Sequence, residues 1–383
     1  MNKDMTINSK DFIIPIFFIG MFLTNSGFGQ TFFLEVGLSF ILSNVFLLLS
    51  LISFKFLDKS IKYILVMYLI YSTLVSLLSF KHDYYLMFIA VGTVLSFMSV
   101  AFIYVNDKSF YRGLKYTAAF NFLLLILYHF RIALSGWNPN NISFLTTFGL
   151  MCMVVLMTKA NSFRIKVLYF TTIIVYSSIL LQTGSRNGLL IAFITIITTT
   201  ILYPIIKKPF FIKIYTIVTL SMPAIVPSIV SYINKSEYLV IVTNLSRKYF
   251  GKGSFFSGRD IFWEWSRNLI GDKWIFGQGE SMYHYLYPHN MFYSVVHMFG
   301  IVGYVLYSIL IFTIIRVIIS NSSDDKISIV CILMFLANYW GQIAENNFYT
   351  SDISFFFPYV FLSIALGRSY YKKKSWRLND EDN

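Results

Sequence analysis

Long apolar runs alternate with short polar segments along the whole chain. Twelve of these runs approach or exceed the roughly 20 residues that a helix needs to cross the hydrocarbon core of a bilayer. They lie at 12–29, 33–54, 61–80, 84–105, 115–133, 142–160, 165–183, 187–206, 211–232, 291–315, 327–343 and 354–368. The pattern predicts an all-α polytopic membrane protein with about 12 transmembrane helices, built as a single integral membrane domain over residues 1–383.

The composition excludes the main soluble classes of protein. Of the 383 residues, 56% are hydrophobic and 13% are charged, whereas about 25% of the residues in an ordinary soluble domain are charged. So few charges cannot cover a compact soluble protein with this apolar content, and so apolar a chain does not stay disordered. Cys152 and Cys331 both fall inside apolar runs and are interpreted as small buried hydrophobic residues. We predict no metal and no cofactor.

The basic charge of the chain, a net +13, is distributed unevenly between the predicted loops. If the N-terminus is cytoplasmic, the inner segments hold 21 of the 31 Lys and Arg, and the short outer loops hold only Lys81, Arg131 and Arg186. This distribution follows the positive-inside rule and predicts that both termini are cytoplasmic. We interpret residues 369–383 as a basic cytoplasmic tail that contacts lipid headgroups, and not as a nucleic-acid arm.

One long segment, residues 233–290, breaks the pattern of short loops. It is predicted to be an external loop with short interfacial helices that joins spans nine and ten. Loops of this length are usually functional or disordered, and the tryptophans of this one argue against disorder. Stretch 258–270 is expected to form an interfacial helix with Ile261, Trp265 and Ile270 near one face.

Polar residues within the spans collect near their predicted outer ends. Ion-coupled transporters usually carry paired ionisable groups at the membrane midplane, and this chain has almost none there. The residues at outer ends, together with one from the long loop, are Glu35, His129, Arg131, Arg186, Arg259, His289, Asn290 and Glu345. The arrangement predicts a site at the outer boundary between membrane and water.

The predicted outer turn Thr183–Gly188 carries an arginine that topology does not require there. Its two glycines allow close approach of the backbone. Arg186 can be a headgroup anchor, or it can bind phosphate in a bidentate fork at the N-terminus of the next helix. Arg259 has the same two interpretations, as part of a solvated helix start or as a second cation for one anion.

Two residues are candidates for proton transfer. His289 can be an ordinary interfacial residue, a general base or a phosphate ligand. Glu345 can be an exposed acid, or a carboxylate that pairs with arginine or accepts a proton. Gly300 and Gly303, in the span after His289, are expected to permit close packing of helices.

In combination these features resemble the O-antigen polymerase and ligase superfamily (Wzy and WaaL). The likeness rests on the outer Ser-Arg turn, on a long outer loop that opens with Gly-Arg and closes with Gly-x-Gly, and on the ligase signature that His289, Asn290, Gly300 and Gly303 supply. The matching motifs lie between 183 and 350. Spans one to six match the family in hydropathy only.

The resemblance implies a GT-C-like glycosyltransferase in the bacterial cytoplasmic membrane, with its active site on the periplasmic or external side. Its partners would be an undecaprenyl-diphosphate-linked glycan donor and acceptor, membrane lipids and a chain-length regulator protein, with no nucleic acid. On this basis we predict His289 and Glu345 as catalytic residues. The other predicted roles are diphosphate binding by Arg186, Arg259, Ser185 and Asn290, and acceptor or sugar contacts by Arg131, Trp263 and Glu35.

Three functions remain open from the sequence. A polymerase of O-antigen, capsule or exopolysaccharide repeat units is favoured, because such enzymes diverge with their repeat unit and this chain has a pronounced Phe, Tyr, Lys and Asn bias. The His-Asn signature favours a ligase that transfers finished glycan to lipid A core. A lipid-linked oligosaccharide flippase is the non-enzymatic alternative. A flippase needs charges that line a cavity open alternately to either side of the membrane, whereas this chain is predicted to place its charges at one face.

Overall fold

The computed structural model describes a large part of the chain. The described residues are 9–16, 19, 57–79, 105–129, 139–234, 240–241, 244, 248, 258–280, 282, 289–344 and 357–381. Side chains are not described at 139–141, 234, 357–358 and 374–381. The predicted spans at 33–54 and 84–105, and most of the span at 12–29, lie outside the described residues.

All regular structure in these segments is helical. The α-helices are α1 (Lys59–Leu78), α2 (Asp107–His129), α3 (Pro139–Lys159), α4 (Phe163–Thr183), α5 (Arg186–Ile196), α6 (Tyr203–Ile206), α7 (Pro209–Asn234), α8 (Arg259–Ile270), α9 (Met291–Ser322), α10 (Lys326–Trp340) and α11 (Phe357–Glu381). Short 3₁₀ turns lie at Ser9–Phe12 and Gly341–Ile343, and a π-helical turn lies at Ile197–Ile201.

Within the described part of the chain, six helices are long and apolar enough to cross a membrane. They are Lys59–Leu78, Ile142–Lys159, Phe163–Thr183, Pro209–Ile233, Met291–Ser322 and Lys326–Ile343. This confirms the prediction of an α-helical polytopic membrane protein. The count of twelve spans, the GT-C-like arrangement and the sidedness remain predictions.

Polar contacts fix one end of the helix bundle, called the first end below; the second end carries the candidate site. At the first end, Arg368 of α11 binds Asp325, which precedes α10, at 2.6 Å and Asp107, which begins α2, at 2.8 Å. It also donates to the Val105 carbonyl. Burial alone would raise the pKa of Asp325, but hydrogen bonds from Arg368 and Ser328, with the Arg368 charge, hold this pKa below its ordinary value. Three helices are thereby fixed at the end that the charge pattern predicts to be cytoplasmic.

The predicted tail at 369–383 is mostly helical, and its cytoplasmic location remains a prediction. Helix α11 continues to Glu381, so most of this segment extends a helix. Lys372 pairs with Asp324, and Lys373 lies 3.4 Å from Asp58 at the start of α1. These two lysines therefore bind carboxylates of the bundle, where the sequence predicted contacts with lipid headgroups.

Two predicted straight spans are broken. The span expected at 187–206 consists of α5, the π turn and α6. The π turn is closed by the Leu202 amide, which donates to the Ile197 carbonyl at 2.8 Å. Such turns frequently occur at functional sites.

The second break lies at Gly300 in α9, where φ is 66° and ψ is −178°. Only glycine readily adopts this backbone conformation. A broken helix frees amides and carbonyls, which must find partners at membrane depth. The segment 274–279 supplies them: Ile301 and Val302 donate to the carbonyls of residues 274 and 275, while the amides of residues 278 and 279 donate to the carbonyls of residues 297 and 298.

Gly300 thus acts differently from the expected helix-packing glycine. A Cβ at this position would lie 2.0 Å from the Ile275 carbonyl oxygen, and a Cβ at Gly277 would lie 2.5 Å from the Gly300 nitrogen. The two glycines allow a loop backbone to dock into the gap in α9. Gly303 follows the break, and its Cβ would lie 2.3 Å from the Cβ of Phe299. The break therefore positions the short half-helix 291–299 and the residues that precede it.

Candidate functional site

The turn between α4 and α5 is built by local sequence. Gly184 ends α4 in the left-handed conformation, with φ 64°. Ser185 then caps α5 by accepting a hydrogen bond from the Gly188 amide at 3.4 Å. A Cβ on Gly188 would lie 2.0 Å from Ser143 Oγ, so this glycine allows α5 to approach α3. Arg186 consequently begins α5, and Ser185, predicted to bind diphosphate, serves as the helix cap.

Three sequence motifs meet on one short segment, residues 341–344, at the C-terminal end of α10. Asn187 Nδ2 donates to the Gly341 carbonyl at 3.2 Å, and Asn290 Nδ2 donates to the Ile343 carbonyl at 2.9 Å. Arg259 Nε donates to the Ala344 carbonyl at 2.8 Å. The last carbonyls of a helix lack partners within the helix and carry partial negative charge, so side-chain donors are favoured there. This segment fixes the relative positions of the Ser-Arg turn, α8 and the start of α9.

Arg186 and Arg259 are brought together by this arrangement. Arg186 is the first residue of α5 and Arg259 the first residue of α8. Burial and the like charge of Arg259 lower the pKa of Arg186 below the ordinary value for arginine. Two cations at two helix N-termini are a combination that favours an anion. The predicted proximity of these two arginines agrees with the structure.

Helix α8 packs one face onto the bundle and exposes the other. Trp263, Ser266 and Ile270 are buried, while Ile261 and Trp265 are 52% and 54% exposed. The expected grouping of Ile270 with Ile261 and Trp265 is therefore wrong. The predicted sugar contact of Trp263 is also not supported, because a side chain that is 3% exposed and part of the core has no free ring face for stacking. Trp265 is the exposed aromatic residue on this helix.

Two further polar residues on α8 and α9 escaped the sequence analysis. Arg267 lies on the same side of α8 as Arg259 and donates to Ser231 Oγ at 3.1 Å and to the Tyr293 hydroxyl at 3.2 Å. Its spacing of eight residues after Arg259 is a helical repeat that could have indicated this position. His297, which is 1% exposed, lies in the half-helix 291–299. Nothing in its apolar sequence surroundings distinguished it.

His289 immediately precedes the N-cap of α9 and adopts a left-handed backbone, with φ 47°. Among the described residues it is the one non-glycine residue with positive φ, and such conformations in residues other than glycine often mark functional segments. Its ring centroid lies 5.5 Å from that of Phe262, one turn after Arg259 on α8. The structure therefore places His289 beside the helix that carries Arg259, although its predicted catalytic role remains a prediction.

Asn290 has a structural role that the sequence did not predict. Helix α7 contains Pro223 and Pro227, and because Pro227 has no N–H, the Pro223 carbonyl lacks its helical donor. Asn290 Nδ2 supplies this bond at 3.0 Å and also donates to Ile343, while its Oδ1 caps α9 by accepting from the Tyr293 amide. The side chain is fully buried. Both amide protons are thus used within the protein, and these contacts do not support the prediction that Asn290 binds diphosphate.

We expect Asn290→Asp to destabilise the protein by about 3–5 kcal/mol. The carboxylate keeps the cap acceptor but loses both donors and buries a charge against two carbonyl oxygens. Thermal unfolding of the purified protein measures this effect. Asn268→Asp, on the exposed side of α8, makes the same chemical change and should alter stability by about 0.5 kcal/mol or less. Equal unfolding temperatures for the two variants would contradict the assigned role.

Some predicted residues are not placed. Glu35, Arg131 and Glu345 lie outside the described residues, although Glu345 directly follows the segment 341–344. In the part of the chain that is described, no three His, Cys, Asp or Glu side chains group as a metal site would require. Cys152 and Cys331 are fully buried, which confirms their interpretation.

The assembled site, at the second end of the bundle, comprises Arg186, Arg259 and His289 around the segment 341–344, held by Asn187 and Asn290. Its chemistry suits an anion with more than one charge beside a group able to accept a proton. Comparisons with protein-family models, with characterised proteins and with solved structures found no match.

Proposed function

We propose that this protein is a glycosyltransferase that polymerises undecaprenyl-diphosphate-linked oligosaccharide repeat units at the outer face of the bacterial cytoplasmic membrane. The products would be O-antigen, capsule or exopolysaccharide. The observation that carries the proposal is the proximity of Arg186 and Arg259, which come from segments more than 70 residues apart in sequence. Two arginines at neighbouring helix N-termini, with the charge of one lowering the pKa of the other, favour the binding of an anion.

The diphosphate of the donor is the anion that fits this region best. Each guanidinium offers a planar fork of donors that matches two phosphate oxygens. The N-termini of α5 and α8 add partial positive charge from free amides. Stabilisation of the leaving diphosphate by fixed cations replaces the role that a metal ion has in other transferases.

In the proposed reaction, an acceptor hydroxyl oxygen attacks the anomeric carbon of the donor sugar. The new glycosidic bond forms as the bond between that carbon and the diphosphate oxygen breaks, and undecaprenyl diphosphate leaves. His289 is the first candidate to accept the hydroxyl proton, because it lies beside α8, and Glu345 is the second. The undecaprenyl chain would remain in the bilayer, and the exposed Trp265 is available to stack on a sugar ring.

The test is polymerisation by the purified full-length protein in liposomes that contain undecaprenyl-diphosphate-linked repeat units. We expect a ladder of lipid-linked products that grows by one repeat unit per step. Movement of labelled lipid-linked oligosaccharide across the liposome membrane without any elongation would instead identify a flippase and refute the proposal.

A ligase is the second candidate, favoured by the sequence His289-Asn290 followed by Gly300 and Gly303. Gene deletion separates the two enzymes. Loss of a polymerase leaves a single repeat unit attached at the cell surface, whereas loss of a ligase leaves none. In vitro, a ligase would transfer finished glycan to lipid A core and would not lengthen the lipid-linked donor.

A further inference from the structure

At the other end of the bundle, a cavity of about 620 Å³ lies between α3, α4, the π turn, α6 and α10. Lys159, Lys166 and Lys326 line it, together with the phenol groups of Tyr111 and Tyr203. Among its lining residues there is no aspartate or glutamate. The cavity is separate from the proposed glycosyltransferase site, because Lys326 begins α10 whereas the segment 341–344 follows its other end.

The three lysines are not neutralised within the part of the chain that the structure describes. Lys159 Nζ lies 5.5 Å from the centre of the Tyr111 ring, and none of the three forms an ion pair with a described carboxylate. The nearby carboxylates of Asp107 and Asp325 are bound by Arg368. Among the described residues, therefore, the cavity is lined by positive charge and favours an anion.

The wall of the cavity that α4 forms is largely apolar and exposed. Phe163, Val167 and Phe170 lie on one face of α4 at helical spacing, and they are 79%, 45% and 56% exposed. Helix α4 packs on α3, and this face stays exposed among the described residues. A ligand that fills the cavity thus needs a negatively charged group at one end and hydrocarbon at the other.

We propose that this cavity binds an anionic phospholipid, with the headgroup phosphate between Lys159, Lys166 and Lys326 and an acyl chain along α4. The threonine hydroxyls of the π turn cannot serve as the main donors, because Thr199 and Thr200 donate to carbonyls of the preceding turn. Lysine ammonium groups and the two phenols are left to hold the phosphate. A free phosphate offers the same chemistry for the lysines but leaves the apolar wall unfilled.

Native mass spectrometry of the full-length protein, titrated with phosphatidylglycerol in detergent, tests the proposal. Each lysine is expected to contribute about fivefold to lipid affinity, so replacing all three by glutamine should weaken binding about 100-fold. The control variant replaces Lys115, Lys207 and Lys208, which are exposed and lie outside the cavity lining. It has the same net charge and should bind phosphatidylglycerol as the wild type does.

Circular dichroism and thermal unfolding establish that both triple variants are folded. Two further ligands, phosphatidylcholine and inorganic phosphate, distinguish binding of an anionic lipid from binding of free phosphate. Phosphatidylcholine, whose ammonium group would face the lysines, should bind much more weakly than phosphatidylglycerol. Equal binding of phosphatidylcholine, an equal loss of binding in the control variant, or displacement of phosphatidylglycerol by inorganic phosphate at similar concentration would each overturn the proposal.

Discussion

Arg186→Ala and Arg259→Ala are each expected to lower kcat/KM for polymerisation by about 100-fold to 1,000-fold, the usual effect of removing one fixed donor to a developing anion. The leaving diphosphate would lose a bidentate donor at the step in which its charge increases. The measurement is the initial rate of repeat-unit transfer by purified protein in liposomes. Arg164→Ala, an exposed arginine near the start of α4 at the opposite end of the bundle, is the control and should keep the wild-type rate.

Lysine substitutions refine this prediction. Arg186→Lys keeps the charge but loses the planar fork, so it should recover only part of the lost rate. If both arginines bind one diphosphate, the double alanine variant should lose less than the product of the two single losses. Normal turnover in both folded single variants would show that the clamp assignment is wrong.

The arginine pair should also reduce the stability of the unliganded protein. Burial and the charge of Arg259 lower the pKa of Arg186, which means that the charged form of Arg186 is disfavoured in the folded state. Arg186→Gln is therefore expected to raise the unfolding temperature while it lowers activity. Higher stability with lower activity is expected if Arg186 belongs to a binding site. If Arg186 belonged to a structural ion-pair network, the substitution would lower both stability and activity.

Gly300→Ala is expected to cost about 4 kcal/mol or more of unfolding free energy. The backbone conformation at Gly300 is itself unfavourable for alanine by about 1–3 kcal/mol. The added Cβ would also lie 2.0 Å from the Ile275 carbonyl oxygen, so segment 274–279 would have to leave its four backbone hydrogen bonds with α9. Activity should fall as well, because α8 and His289 lie on either side of this segment in sequence.

Gly184→Ala provides the matched control. Gly184 also has positive φ, at 64°, but its Cβ would meet nothing within 4 Å. This variant should cost only about 1 kcal/mol, the usual conformational penalty. Thermal unfolding and limited proteolysis of the segment 271–280 measure the two variants. If Gly300→Ala were no worse than Gly184→Ala, the docking of the loop into α9 would not contribute to stability.

The half-helix of the broken α9 and the two arginines are held in place by the same segment, residues 341–344. The half-helix 291–299 begins at Asn290, which joins the proline-interrupted α7 to the segment 341–344. Arg259 and Asn187 are bound to the same segment. A rearrangement of residues 341–344 would therefore shift both cations and His289 together, and it would also move Glu345, the next residue in the chain.

Much of this molecule follows from local sequence. Apolar runs of about 20 residues can only satisfy their backbone in a membrane as helices, which is why the described helices lie on the predicted spans. Gly184 and Ser185 end and begin helices through bonds within a few residues, so this turn was predictable from the sequence. The sequence also singled out Arg186 and Arg259, because the positive-inside rule does not call for arginines on the side where they are predicted to lie, and that side remains a prediction.

Tertiary structure alone decided the rest. The break at Gly300 depends on hydrogen bonds from a separate loop. The apolar pattern of the sequence does not distinguish a straight helix from a broken one. The burial of Trp263 depends on which face of α8 meets the bundle, which its aromatic composition does not specify. The role of Asn290 arises from a proline pair in another helix, 67 residues away. Local patterns determine which residues form helices and which ends are polar, but contacts between distant segments determine which of those polar groups remain available to bind a ligand.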